Sequence, residues 1–174
     1  MAPLRLGCGD GLLAESLRAA GLHTRRRGGG DGDVRDGGAS LTGVDVSAKL
    51  LERARALPGD PYRDLLKADL NLPLGFADDR FDASLCIGVL TYVGPSNKPN
   101  LLCEMARITK PGGVVVFTLR SDAAGKWEAN ASELEAAGAW RLHARSEPMP
   151  YLPRNPDYAD IVKVNVYAYT VLAG

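Results

Sequence analysis

Apolar positions along this chain follow two rhythms. Short unbroken apolar runs alternate with stretches in which apolar residues recur every three or four positions, and glycines and prolines punctuate the joins. The first run, Pro3 to Leu6, leads into Gly7-Cys8-Gly9-Asp10-Gly11. Leu12 to Ala20 follows, rich in helix formers, with leucines on one face and Gly21 as a stop. A second strand spans Leu41 to Val46; Ser47 is a good N-cap, and Leu50, Leu51, Ala54 and Leu57 fall at helical spacing before Pro58-Gly59. A third strand is predicted at Asp64 to Ala68, ending at Asp69, and a fourth at Phe81 to Leu90. A helix fits Asn100 to Ile108, and Lys110-Pro111-Gly112-Gly113 makes a tight turn into the β-branched strand Val114 to Leu119. The remainder predicts a helix over Glu128 to Ala137, a strand at Trp140 to Arg145, a proline-rich loop from Pro148 to Pro156 and a long strand from Ile161 to Leu172.

Strands alternating with helices imply an α/β fold with a mostly parallel sheet. The two closing strands, with no helix between them, imply an antiparallel edge pair. One segment breaks the rhythm: His23 to Ser40 is charged, glycine-rich and nearly free of large apolar residues. It cannot bury enough surface to offset its ordering entropy, which predicts a flexible surface insertion.

Composition narrows the picture. The length of 174 residues, with 45% hydrophobic and 24% charged, suits one globular domain over 1–174 rather than a disordered chain. Lys+Arg and Asp+Glu both total 21, so no overall field favours nucleic acid or an anionic membrane. Cys8, Cys86 and Cys103 form no CxxC or Cys/His cluster, so neither a disulfide framework nor a metal site is expected. Free thiols, no apolar signal core and no apolar run near 18 residues point to a soluble, cytoplasmic protein with no membrane span.

The candidate chemistry lies at the strand ends. A glycine turn between a strand and a helix N-terminus places backbone N–H groups and a positive dipole end at the crevice, and Gly7, Gly9 and Gly11 permit close backbone approach. An ordinary turn is the plainer alternative, and the G-x-G-x-G spacing differs from the dinucleotide G-x-G-x-x-G. Asp45 closes the second strand, beside Val46, where an acid can accept both ribose hydroxyls of an adenosyl ligand; otherwise it caps the next helix. It lies 38 residues beyond Gly7. Setting aside the insertion brings this near the usual separation of about 20. At the third strand's end, Asp69 can accept an adenine amino group while Leu70 packs on the ring. Ile87 and Gly88 line the opposite wall or simply bury the fourth strand.

The runs Leu6-Gly-Cys-Gly-Asp-Gly-Leu, Leu41-Thr-Gly-Val-Asp-Val-Ser, Phe81-Asp-Ala-Ser-Leu-Cys-Ile-Gly-Val-Leu and Ile108-Thr-Lys-Pro-Gly-Gly-Val resemble the class I S-adenosylmethionine-dependent methyltransferases. Within that class the chain looks most like the Williams–Beuren-region methyltransferase-like proteins. The resemblance implies a Rossmann-like sheet, S-adenosylmethionine as cofactor, Gly7, Gly9 and Gly11 around its methionine moiety, Asp45 on the ribose and Asp69 near the adenine. Two departures stand out. The family has an acid two residues before the first glycine where this chain has Arg5, and it carries a helical segment before the first strand, whereas this chain starts almost at the glycine loop.

Methyl transfer needs positioning more than an obligatory catalytic group, so no catalytic residue is assigned. Tyr92, Arg120, Ser121 and Asp122 are the candidates near the acceptor. The absence of an Asp/Asn-Pro-Pro-Tyr run after the fourth strand favours a small-molecule acceptor over nucleic acid. The alternative is a catalytically inactive binding module that keeps the fold. An NAD-dependent oxidoreductase fits neither the glycine spacing nor the lack of a Tyr-x-x-x-Lys pair.

Overall fold

A computed structural model of the chain describes residues 1–19, 41–96, 99–151 and 161–174. The expected insertion at His23–Ser40 and most of the proline-rich loop lie outside the described residues. Eight strands form one sheet: β1 (Pro3–Leu6), β2 (Thr42–Asp45), β3 (Asp64–Lys67), β4 (Phe81–Cys86), β5 (Thr109–Arg120), β6 (Trp140–Arg145), β7 (Met149–Pro150) and β8 (Lys163–Val171). Their spatial order is β3-β2-β1-β4-β5-β8-β6, with β7 also paired to β8. The first five strands run parallel, and β8 runs antiparallel to both β5 and β6.

This matches the expected mostly parallel α/β sheet with an antiparallel pair, and refines where the pair sits. The long last strand lies inside the sheet, between β5 and β6. Its residues Asn165, Tyr167, Tyr169 and Val171 are buried, and a strand hydrogen-bonded on both sides belongs in the interior. Chain order alone does not carry that insertion.

Helices α1 (Leu12–Ala19) and α2 (Ala48–Arg55) share a small cluster with Cys8, Leu41 and Tyr62, in which Ala14, Leu51 and Ala54 are buried. Helices α3 (Leu101–Ile108) and α4 (Ala124–Ala136) belong to the larger core, with Leu4, Leu6, Val44, Phe117 and Trp140. Ser47 caps α2 by accepting Leu50 N–H, and Asn100 caps α3 by accepting Cys103 N–H. Helix α4 starts at Ala124, earlier than the expected Glu128, because buried Trp127 supplies its first anchor. Strand β4 ends at Cys86, and Leu90–Tyr92 forms a single 3-10 turn instead of continuing it. Among the described residues no helix is long and apolar enough to cross a membrane.

Aromatic stacking knits the β5–β8–β6 end together. Phe117 stacks on both Tyr167 and Tyr169, with ring centroids 5.3 and 5.7 Å away, and Trp140 stacks on Tyr169 at 4.4 Å. Both tryptophans satisfy their indole N–H inside the core, Trp127 on Leu90 O and Trp140 on Ala131 O.

A polar node fixes the loop between β3 and β4. Buried Glu104 accepts Leu74 N–H at 2.7 Å and a fork of two bonds from Arg107, both 2.8 Å. Arg107 also donates to Leu74 O, Phe76 O and Asp78. The Arg107 hydrogen bonds hold the Glu104 carboxyl below the ordinary range. The stabilisation is therefore complete above the unfolded-state value of about 4.3 and fades as pH falls through the lower folded value. In urea unfolding, Glu104→Gln is expected to cost about 1–3 kcal/mol at pH 7, with the gap to the parent narrowing below about pH 4. An equal gap at both pH values would contradict the charge-assisted origin.

Candidate functional site

The parallel strands end together, so the loops after β1, β2, β3 and β4 meet at one edge of the sheet, as expected for a crevice at strand C-termini. There they enclose a cleft of about 380 Å³ lined by Gly7, Gly9, Asp45, Val46, Leu50, Asp69, Leu70, Asn71, Ile87, Gly88, Val89, Tyr92 and Val93. Of the residues that the sequence places around an adenosyl ligand, Gly7, Gly9, Asp45, Val46, Asp69, Leu70, Ile87 and Gly88 are in that wall. Gly11 is not. A Cβ there would meet Leu57 Cδ1 at 2.3 Å and Tyr62 Cε2 at 3.4 Å, so Gly11 serves the packing of α2 behind the loop.

The glycines of the wall divide by what surrounds them. Gly7, Gly9 and Gly88 all have positive φ, at 62°, 57° and 73°. A Cβ on Gly7 would sit 2.3 Å from Val89 Cγ2, so the loops after β1 and β4 touch directly. A Cβ on Gly9 or Gly88 meets nothing within 4 Å. These two leave open space in the cleft where backbone is free to approach a ligand.

Asp45 organises the floor. Its Oδ2 accepts Gly9 N–H at 2.8 Å and its Oδ1 accepts Ser47 N–H at 2.9 Å, joining the glycine loop to the start of α2. Each carboxylate oxygen keeps acceptor capacity beyond these bonds. Cys8 N–H donates to Val44 O at 2.9 Å and continues the β1–β2 contact into the loop.

Asp69 is exposed and accepts both the backbone N–H and the side-chain amide of Asn71, each at 2.9 Å. These bonds lower its pKa from the ordinary aspartate value. Asn71 Oδ1 in turn accepts Gly94 N–H, bridging the loops after β3 and β4. Sequence reasoning missed Asn71; its signal was the Asp-x-Asn spacing, which makes a side-chain-to-backbone turn. Leu50, Val89 and Val93 were missed too, because apolar residues in a wall look the same in sequence as apolar residues in a core. On the fourth side, Thr118 Oγ1 accepts Gly88 N–H at 2.8 Å.

The acceptor candidates separate. Tyr92 lines the cleft and is 75% exposed. Arg120 pairs with Asp122 and sits over the Tyr151 ring at 4.8 Å, and Ser121 accepts Lys163 N–H; none of these three lines the cleft. His143 is exposed on β6, Lys110 pairs with Asp82, and no metal-binding group occurs among the described residues. His23 lies outside them.

Residues 4–117 match the methyltransferase domain family. The chain is 33% identical over 153 residues to a malonyl-[acyl-carrier protein] O-methyltransferase of Erwinia pyrifoliae, covering 85% of this chain and 53% of that protein. It is also 33% identical over 142 residues to human methyltransferase-like protein 27, covering 79% of this chain and 50% of that one. The chain thus spans about half the length of these curated relatives. An S-adenosylmethionine-dependent methyltransferase from Mesorhizobium loti has the same fold, with a TM-score of 0.68 at 18% identity, covering 97% of this chain and 90% of that one.

The glycine contrast gives a prediction. Gly7→Ala and Gly9→Ala incur the same left-handed backbone penalty, but only the first drives a methyl into Val89. Gly7→Ala should therefore be the less stable variant by about 1–3 kcal/mol in chemical denaturation. Equal stabilities would show that the β1 and β4 loops do not touch at Gly7.

Proposed function

This chain belongs to the class I S-adenosylmethionine-dependent methyltransferases, and we propose that it binds S-adenosylmethionine in the cleft above the glycine loop and passes its methyl group to a small-molecule acceptor. In this reading residues 1–174 form a single methyltransferase domain. The observation that carries it is the convergence of Gly9, Gly88 and Asp45 on one cleft: two backbone approaches left open and a carboxylate with acceptor capacity to spare.

The donor set fits the adenosyl half of the cofactor. Asp45 accepts the ribose hydroxyl protons, Val46, Leu70 and Ile87 supply apolar walls for the base, and Asp69 accepts its amino group. Gly7 and Gly9 bring backbone beside the methionyl half, while Gly11 supports the loop from behind. When bound, the cofactor supplies a sulfonium-activated methyl group open to displacement. The chain contributes position: Asp45 keeps the glycine loop against α2, Asn71 holds the β3 and β4 loops in one wall, and Tyr92 stands at the rim to orient the acceptor. Equal counts of acidic and basic residues support a small molecule over a polyanion. The free thiols Cys8, Cys86 and Cys103 support a reducing, cytoplasmic setting.

Calorimetric titration with S-adenosylmethionine, S-adenosylhomocysteine and NAD tests the reading. We expect dissociation constants on the order of micromolar for the first two and no binding of NAD. Asp45→Ala should weaken the first two by about tenfold or more, because a buried polar contact is lost. Preference for NAD would contradict the reading. Silence towards all three would also contradict it and favour the inactive-module alternative that Arg5 raises.

A further inference from the structure

Arg5 lies in the central strand β1 and is 7% exposed. Its register neighbours are Gly43 on β2 and Leu85 on β4, so no acid stands beside it in the sheet. Nη1 donates to Leu6 O and Nη2 to Ile87 O, each at 2.9 Å. Those carbonyls immediately precede Gly7 and Gly88, the two glycines with which β1 and β4 enter the cleft wall. Nε has no hydrogen-bond partner, and among the described residues no carboxylate forms an ion pair with the guanidinium. Burial lowers its pKa from the ordinary arginine value, while the fields of Cys86, Tyr62, Cys8 and Asp45 act the other way. A guanidinium nonetheless stays protonated near neutral pH.

A buried cation without a carboxylate in contact is costly. Two adjacent strand-end carbonyls are acceptors of the kind an ammonium group needs. Here the protein's own cation uses both. A ligand ammonium reaching this end of the cleft would share its acceptors with a like charge directly behind them. A ligand carboxylate would find a positive charge with no carboxylate in ion-pair contact, weakly screened because it is buried.

We propose that Arg5 sets the charge preference of this end of the cleft, so that an adenosyl amino-acid ligand is held through its carboxylate and not through its ammonium. The inference rests on the cofactor reading above and adds to it a rule of discrimination. Arg5 is a positioning residue in this scheme, acting from behind Gly7 and Ile87 rather than from the cleft wall.

The test is calorimetry on the full chain with four probes. These are 5′-methylthioadenosine, which lacks both charged groups, S-adenosylhomocysteine, which has both, and the two S-adenosylhomocysteine analogues lacking only the amino group or only the carboxylate. In the wild type, removing the amino group should change affinity by less than about threefold, and removing the carboxylate should weaken it by about tenfold or more. Arg5→Met removes the charge and frees both carbonyls, so the order should invert, with the amino group now the costlier loss. Arg5→Lys keeps the charge and should keep the wild-type order.

A wild type that loses more from deamination than from decarboxylation would overturn the proposal, and that ranking decides even where Arg5→Met melts too low to titrate. Binding itself separates the two levels. If S-adenosylhomocysteine binds and the ranking is wrong, only the Arg5 inference falls; if neither S-adenosylhomocysteine nor methylthioadenosine binds, the cofactor reading falls and the inference with it.

Discussion

Asp45 takes the Gly9 N–H on one carboxylate oxygen and the Ser47 N–H on the other, and the shape of the cleft depends on that pair of hydrogen bonds. One partner belongs to the glycine loop after β1 and the other is the N-cap of α2, so a single side chain fixes two loops from adjacent parallel strands. Parallel strands have no tight hairpins at this end, and their loops need cross-links of this kind to form a defined surface. The pair also leaves the carboxylate at the cleft floor with acceptor capacity unspent. The same group is structural and available.

Around this pair the other contacts act as braces. Val89 against Gly7 sets the distance between the β1 and β4 loops, Thr118 holds Gly88, and Asn71 ties the β3 loop to Gly94. Further out, the Glu104–Arg107 node anchors the chain from Leu74 to Asp78, and Trp127 secures the turn at Leu90. The wall is thus built from the backbones of several loops, held by side chains of the cleft lining such as Asp45, Asn71 and Val89 and by others behind it such as Thr118 and Trp127, which suits a site whose task is to position a ligand. Arg5 belongs to this supporting layer but differs in kind, because it brings a buried positive charge as well as two hydrogen bonds.

Much of this was legible in the sequence. β1 and β6 have the predicted bounds, Ser47 and the residues after it form the predicted capped helix, and Gly7, Gly9, Asp45, Val46, Asp69, Leu70 and Ile87 meet in one wall. These succeed because strand ends, glycine turns and caps are local and carry residue-specific signals. What the sequence leaves open is non-local. The insertion of β8 between β5 and β6 depends on which face buries Tyr167 and Tyr169, and the packing of Gly11 against Leu57 and Tyr62 cannot be read from a glycine's neighbours in sequence. Arg5 was visible as an unusual residue, yet its two carbonyl partners became apparent only when β1 and β4 lay side by side.

A titration of the isotopically labelled 18.5 kDa chain with S-adenosylhomocysteine, followed by amide NMR shifts, addresses the central claim residue by residue. The account predicts saturable shifts concentrated at Gly9, Ser47, Asn71 and Gly88, whose amides border or support the cleft, with Gly112 and Gly138 unmoved. Shifts centred away from the strand ends, or none at saturating ligand, would contradict a cofactor site built on Asp45.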